Sequence, residues 1–210
     1  MRCQVLSFLL CISIVLTPGA GQAEAAANTI VKRVETPAAG KFLVARRDMP
    51  DPRFRETVVL LLRHDIHGSA GLIINRQTSI PLPHHDPDIK GTNYKDQQLF
   101  FGGPVATSAI LYLIRSDERP DDAEPVIKGV HIGTTQQNLE ALLEAGKTMA
   151  ELRLYLGHAG WAPGQLVSEL RRGDWHLFDA DADAIFTNPE QRLWERYIKQ
   201  REPLDLMAAQ

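Results

Sequence analysis

Three glycines, a proline and a tryptophan fall within one short stretch, Gly157-His158-Ala159-Gly160-Trp161-Ala162-Pro163-Gly164-Gln165-Leu166. No regular element tolerates that density without a reason. Glycine reaches backbone angles closed to other residues and admits close approach of another chain, whereas proline fixes φ and removes a donor. The preceding run, Glu151–Gly157, reads as a strand. Pro163 suits the first position of a helix running to Arg172 and closed by Gly173. The segment is therefore expected to be a strand-to-helix junction where main chain bends sharply beside a packed sheet. Gly102-Gly103-Pro104-Val105, after the short strand Leu99–Phe101, marks a second sharp corner.

The rest of the chain alternates strand-length apolar runs with turns. Phe42–Arg46 reads as a strand, and Met49-Pro50-Asp51-Pro52 as a turn, since each proline restricts the residue before it. Thr57–Arg63 and Ala70–Asn75 are continuous apolar runs, as strands buried on both faces require. The glycine-ended connection His64-Asp65-Ile66-His67-Gly68 joins them into a hairpin. Residues 77–97, with Pro81, Pro83 and Pro87 and no apolar period, read as a long loop. Ala109–Ile114 supplies a strand, 116–125 an exposed acidic connection, and Val126–Ile132 another strand. Thr134 with Gln137 is a capping-box pattern opening a helix, with Leu139, Leu142 and Leu143 on one face and Gly146 as its stop. Trp175–Phe178 reads as extended, and Asn188-Pro189 opens a last helix carrying Leu193, Trp194, Tyr197 and Ile198. Hairpins interrupted by two or three helices predict a single α+β domain with a mostly antiparallel sheet.

The N-terminus narrows the setting. Arg2, the apolar run Val5–Leu16 and small residues around Ala23-Glu24-Ala25 have the layout of a secretory signal peptide. The run is shorter than the ~18–20 residues of a spanning helix, so no membrane anchor is expected after cleavage. The predicted organisation is a leader over 1–25, a lead-in over 26–40, a domain over 41–200 and a tail over 201–210, with a periplasmic or secreted destination. Both cysteines, Cys3 and Cys11, lie in the leader. A mature chain then has no disulfide, thiolate nucleophile or cysteine metal ligand. A formal net charge of −3 offers no global attraction to nucleic acid, and no nucleic-acid partner is expected.

Candidate chemistry is sparse. At Gly157–Leu166 the glycines and the free amides of a helix start suit an anion or small polar ligand. The competing reading is that Trp161 plugs the core and the glycines only turn the chain, because Pro163 removes one of those amides. His64, Asp65 and His67 hold two imidazoles and a carboxylate in one short connection, enough for a metal or an acid/base pair, although polar residues also solvate any turn. His84-His85-Asp86 resembles a metal cluster, but adjacent side chains in an extended stretch diverge. Asp179, Asp181, Asp183 and Glu190 imitate calcium-loop spacing, yet Ala184 stands where the loop needs glycine and no entering helix precedes it. Gly68-Ser69-Ala70-Gly71 is one residue short of a nucleophile elbow. Neither a phosphate-binding Gly-rich loop nor a His-Glu-x-x-His helix occurs.

Taken in order, Phe42–Arg76, Gly102–Val105 and Gly157–Leu166 resemble the AlgH/YqgE family, and the resemblance runs from about Phe42 to about Tyr197. It implies a strongly bent, barrel-like sheet with packed helices, and a biochemical activity that is unassigned. His64 matches a histidine common in the family. His158 stands where a tyrosine is usual and Leu62 where a cysteine is frequent, so a thiol role does not carry over. The resemblance also brings a transcriptional-regulator label and a cytosolic setting, at odds with a leader and with the absence of a basic face or helix-turn-helix pattern. The expectation is a non-enzymatic module that binds a small ligand or protein partner through His64, Asn75, Gly102, Gly103, Gly157, His158, Gly160, Trp161 and Gln165, with no cofactor and no metal. The alternative is a metal-assisted hydrolase built on His64, His67 and His158.

Overall fold

The computed structural model describes residues 36–86, 88–90, 97–186 and 192–208. The leader, most of the lead-in and the Asn188-Pro189 helix start lie outside the described residues. Ten strands build the sheet: β1 (Lys41–Ala45), β2 (Val58–Asp65), β3 (Gly68–Ile73), β4 (Gln77–Pro81), β5 (Gln98–Phe101), β6 (Val105–Arg115), β7 (Ala123–Ile127), β8 (Val130–Gly133), β9 (Leu152–Trp161) and β10 (Trp175–Asp179). Helices α1 (Leu82–His85), α2 (Gln136–Glu144), α3 (Gln165–Arg171), α4 (Ala182–Ile185) and α5 (Leu193–Ala208) accompany them. The class is α+β, with a curled, mostly antiparallel sheet.

Strand β9 organises the sheet. Its first half lies between β5 and β6, and its second half, Ala159–Trp161, pairs with β3. The remaining order is β10-β1-β2-β3 on one side and β6-β8-β7 on the other. The β5–β9 pairing is parallel, the one departure from antiparallel order among the described residues. The apolar run of β2 is buried as its continuity demanded, Val58 to Leu61 being fully inaccessible, and Phe42 to Ala45 of β1 are equally inaccessible. One core joins these strands to Trp161, Trp175 and the α5 residues Leu193, Trp194, Tyr197 and Ile198. A second packs Leu139 and Leu143 of α2 against Tyr112, Ile114, Leu152 and Leu154.

Several sequence expectations are corrected. Residues 77–97 are not one loop: β4 pairs with β5 and α1 follows it. Strand β4 is mostly solvated and therefore lacks an apolar period, and prolines are tolerated at a strand end and a helix start. The strand expected at Ala109 begins at Val105, its first five residues being exposed. In place of one strand over Val126–Ile132 there is a β7–β8 hairpin; Pro125 is accommodated because β7 lies at the end of the sheet order. Thr135, not Thr134, occupies the N-cap of α2, and its side chain makes no capping bond. Among the described residues five α-helices occur where two or three were expected, because α1 and α4 are single turns too short to show a period.

Within β9, Tyr155 is wholly buried and its hydroxyl has no hydrogen-bond partner. Burial pushes its phenol well above the ordinary value near 10. The folded chain therefore keeps this proton at a pH where the unfolded chain has lost it. Stability is at full strength below about pH 10 and falls as the pH rises beyond it. Tyr155→Phe should flatten that alkaline decline and leave stability at pH 7 unchanged or raised by about 1 kcal/mol. Tyr197, also raised by burial, leaves a residual slope. Urea denaturation at pH 7 and pH 11 checks this; an unaltered alkaline slope in the variant would assign the decline to other groups.

Candidate functional site

The glycine-rich stretch does not behave as a strand-to-helix junction at Gly157. Strand continues through Trp161, Ala162-Pro163-Gly164 form the turn, and α3 begins only at Gln165, with Gly164 left-handed at φ +74°. Pro163 thus precedes the helix. The turn is tied by Gln165, whose Oε1 accepts the Ala162 N–H at 3.0 Å. With seven residues and this entry, α3 does not present the open helix start that an anion needs.

The bend itself is where the sequence placed it. Gly157 has φ +65°, and a Cβ there would stand 2.6 Å from the Val105 carbonyl oxygen and 2.7 Å from that of Gly103. Gly102 would in turn meet the Gly157 oxygen at 2.3 Å. The two corners cross main chain on main chain, and neither could carry a side chain. Gly102, Gly103 and Gly157 are therefore structural members of the candidate set.

Past the crossing, Trp161 turns into the core. Its ring lies 6.0 Å from Phe54, nearly parallel at 23°, and 6.0 Å from Trp175 at 78°. Both indole N–H groups donate to one oxygen of Glu169 on α3, each at 2.8 Å, and the Gln165 amide donates to the other oxygen at 2.9 Å. Since Trp161 and Trp175 are about 5% exposed or less, these donors have no ready access to water. Gln165 and Glu169 fall one helical turn apart and reach the same face. One carboxylate thus fixes two rings and the helix above them.

Over this aromatic floor lies a cleft of about 370 Å³, walled on one side by Met49–Phe54 and on the other by α3 and the turn into β10. Gly160 and Val105 open its rim, Gly160 being exposed and Val105 42% exposed. Two guanidiniums border it. Arg53 makes a bidentate contact with Asp51, and the Arg53 side chain holds that carboxyl below its ordinary range. Arg172 pairs at 2.7 Å with Asp174, a buried carboxylate that Arg46 also approaches at 3.7 Å.

The other candidates separate. Asn75 is a latch, accepting the Val58 N–H at 2.8 Å and donating to the Glu56 carbonyl at 2.9 Å. His64 is half-buried with Nδ1 at 2.7 Å from the Ser69 hydroxyl. The register His64↔Ser69↔Trp161 puts those residues in one row across the sheet, whereas His158, three residues before Trp161 and opposite Val105, belongs by alternation to the other face. His67 is exposed at the hairpin tip. The proposed His64, His67 and His158 assembly is not formed, and among the described residues no three His, Cys, Asp or Glu side chains converge on a metal position. The His84 side chain lies outside the described residues, while His85 Nε2 meets the Ser108 carbonyl at 3.1 Å. The acidic run is split: Asp179 pairs with Lys41, Asp181 caps α4 and Asp183 pairs with Arg115.

A family model described as AlgH-like matches residues 42–203. The chain belongs to the AlgH-like family. The UPF0301 protein of Chlorobium chlorochromatii is 34% identical over 171 residues, covering 81% of this chain and 89% of the relative. That of Chlorobaculum tepidum is 34% identical over 163 residues, covering 77% and 86%. The solution structure of the AlgH protein from Pseudomonas aeruginosa superposes with a TM-score of 0.65 at 30% identity, over 84% of this chain and 96% of that one. A crystal structure from Corynebacterium diphtheriae, at 22% identity and a TM-score of 0.66, covers 79% and 88% and attests the fold alone. Within this AlgH-like domain, Gly160, Trp161 and Gln165 are the candidates that line the cleft. Sequence reading missed Glu169, Trp175, Phe54, Arg53 and Arg172. A signal existed only for Glu169, a carboxylate one turn beyond Gln165.

Proposed function

We propose that this AlgH-like domain, whose family has no assigned biochemical activity, is a non-enzymatic binding module that holds a small amphipathic ligand in the Trp161–Trp175 cleft. The observation that carries this reading is the engagement of every carboxylate around the cleft: Glu169 with two indoles and an amide, Asp174 with Arg172, and Asp51 with Arg53. Groups committed in this way shape and orient; they are not free to shuttle protons. Apolar ring surface with two guanidiniums at the rim suits a ligand with an apolar body and a polar or anionic end.

Gly160 offers a direct test. A Cβ there meets only Val105 Cγ2, at an ordinary 3.5 Å, so Gly160→Leu should cost no more than about 1 kcal/mol while filling the mouth of the cleft. A small-molecule thermal-shift screen on the full chain should yield binders that stabilise the parent by about 2.7 kcal/mol at a hundredfold excess over Kd. That stabilisation should vanish in Gly160→Leu. Binders acting equally on both proteins would move the site elsewhere. Binding by a protein but by no small molecule would replace the ligand with a partner surface.

Export belongs to the same proposal and rests on the Met1–Ala25 layout. Mass spectrometry of the native protein should find a start after Ala23 or Ala25; an intact Met1 or an Arg2 start would overturn it.

A further inference from the structure

The connection between β1 and β2 forms one wall of the Trp161 cleft, through Met49, Pro50, Asp51, Arg53 and Phe54. Its two ends are drawn together where the Ala45 N–H donates to the Thr57 carbonyl at 3.0 Å. That closed neck is the geometry of an Ω-loop. Two contacts root it: the Arg46 N–H on the Asp174 carbonyl at 3.1 Å, and the Arg47 guanidinium over the Trp194 ring. Beyond the root, residues 48–56 are knit largely to one another. The Asp51 carboxylate accepts both the Arg53 amide and its side chain, the Phe54 N–H donates to the Asp51 carbonyl at 3.0 Å, and Arg55 Nε donates to the Met49 carbonyl at 3.3 Å. At the far end the Thr57 hydroxyl donates to the Phe54 carbonyl at 2.8 Å. A segment bonded in this way moves as a unit.

Its polar ties to the body of the domain come from one dipeptide. The Asn75 amide donates to the Glu56 carbonyl at 2.9 Å, and the Arg76 guanidinium donates to the Arg53 carbonyl at 2.7 Å and the Arg55 carbonyl at 3.0 Å. The other anchors are the buried Met49 side chain and the Phe54 ring, which lies against both indoles. Two costs oppose this closed position. Glu56 is held at φ +55°, a left-handed angle unfavourable to any residue with a Cβ. Arg76 is half-buried, and desolvation pulls its guanidinium below the ordinary value, an effect the Glu56 carboxylate offsets only in part. Few ties set against two costs leave the closed state modestly favoured. We infer that residues 48–56 form a lid on the cleft, latched by Asn75 and Arg76, whose release carries Phe54 off Trp161 and Trp175 and opens the floor to the ligand. The inference rests on the reading of this cleft as the ligand site.

Acrylamide is the probe, since it quenches an indole only on collision and reads the lid without any ligand. In the full chain carrying Trp194→Phe, Trp161 and Trp175 alone emit. In that background Arg76→Ala should raise the Stern–Volmer slope at least about threefold. The Ala45 amide in the neck and the Phe54 amide inside the lid should meanwhile keep their hydrogen-exchange protection to within about a factor of three. Arg76→Lys, which keeps the charge and loses the fork, should fall between the two and carries the test if the alanine variant unfolds. Asn75→Asp still accepts the Val58 N–H but cannot donate to the Glu56 carbonyl, and should raise the slope as well. Quenching equal to the background in every folded variant, or a rise that comes only with lost protection at Ala45 and Phe54, would overturn the lid. A cleft that yields no binder in the Gly160→Leu comparison would remove the ligand and leave the lid's movement standing, so the two failures read separately.

Discussion

Gly157→Ala should cost about 4 kcal/mol or more and leave little folded protein at 37 °C. Two costs combine. The left-handed backbone at φ +65° charges any residue with a Cβ about 1–2 kcal/mol. Far larger is the steric term, since the added methyl would lie 2.6 Å and 2.7 Å from two carbonyl oxygens belonging to a corner that cannot retreat, being pinned by Gly102 against the Gly157 carbonyl. Gly164→Ala is the matched control. Its φ of +74° imposes the same backbone cost, but nothing lies within 4 Å of its Cβ position, so about 1–2 kcal/mol is expected. Thermal and urea denaturation of the pair measure the difference. If the two variants lose equal stability, the main-chain crossing is looser than the geometry states, and the bend is not what the glycines serve.

Glu169→Ala should lower stability by about 2–4 kcal/mol. Its carboxylate is the acceptor for two buried indole N–H groups, and each donor left unpaired costs about 1–3 kcal/mol. Part of that cost is relieved if the cavity left by the side chain admits water. Glu169→Gln retains one acceptor oxygen and should lie between the parent and the alanine variant. The same substitutions should loosen Trp161 and Trp175, shifting tryptophan emission to the red, because the two rings form the cleft floor with Phe54. A loss below about 0.5 kcal/mol in Glu169→Ala, a value typical of surface positions, would show that ring stacking alone holds the floor.

Features set by local chemistry were legible before the fold was seen. The continuous apolar runs of β2 and β3 announced strands buried on both faces, and the glycines at 102, 103 and 157 announced tight backbone; both follow from side-chain volume and allowed φ, ψ. Gly160, Trp161 and Gln165 line one cleft, whereas His64, Asn75, Gly102, Gly103, Gly157 and His158 do not. Strand β4 escaped notice because a solvated edge strand carries no hydrophobic period. The α3 boundary was misplaced because Pro163 suits a turn as well as a helix start. The histidine hypothesis failed for a different reason: which face His64 and His158 occupy depends on register and on the crossing at Gly157, quantities no local pattern encodes.

The sequence by itself determined that the apolar runs of β2 and β3 are buried and that the main chain bends tightly at Gly102, Gly103 and Gly157. Only the tertiary structure decided that Glu169 would hold two indoles drawn from β9 and β10, and that Arg53 would reach the cleft from a turn more than a hundred residues away in the chain. Burial and bending are properties of a residue and its neighbours along the chain. Convergence of distant side chains depends on strand order, and strand order is fixed by the packing of the whole sheet.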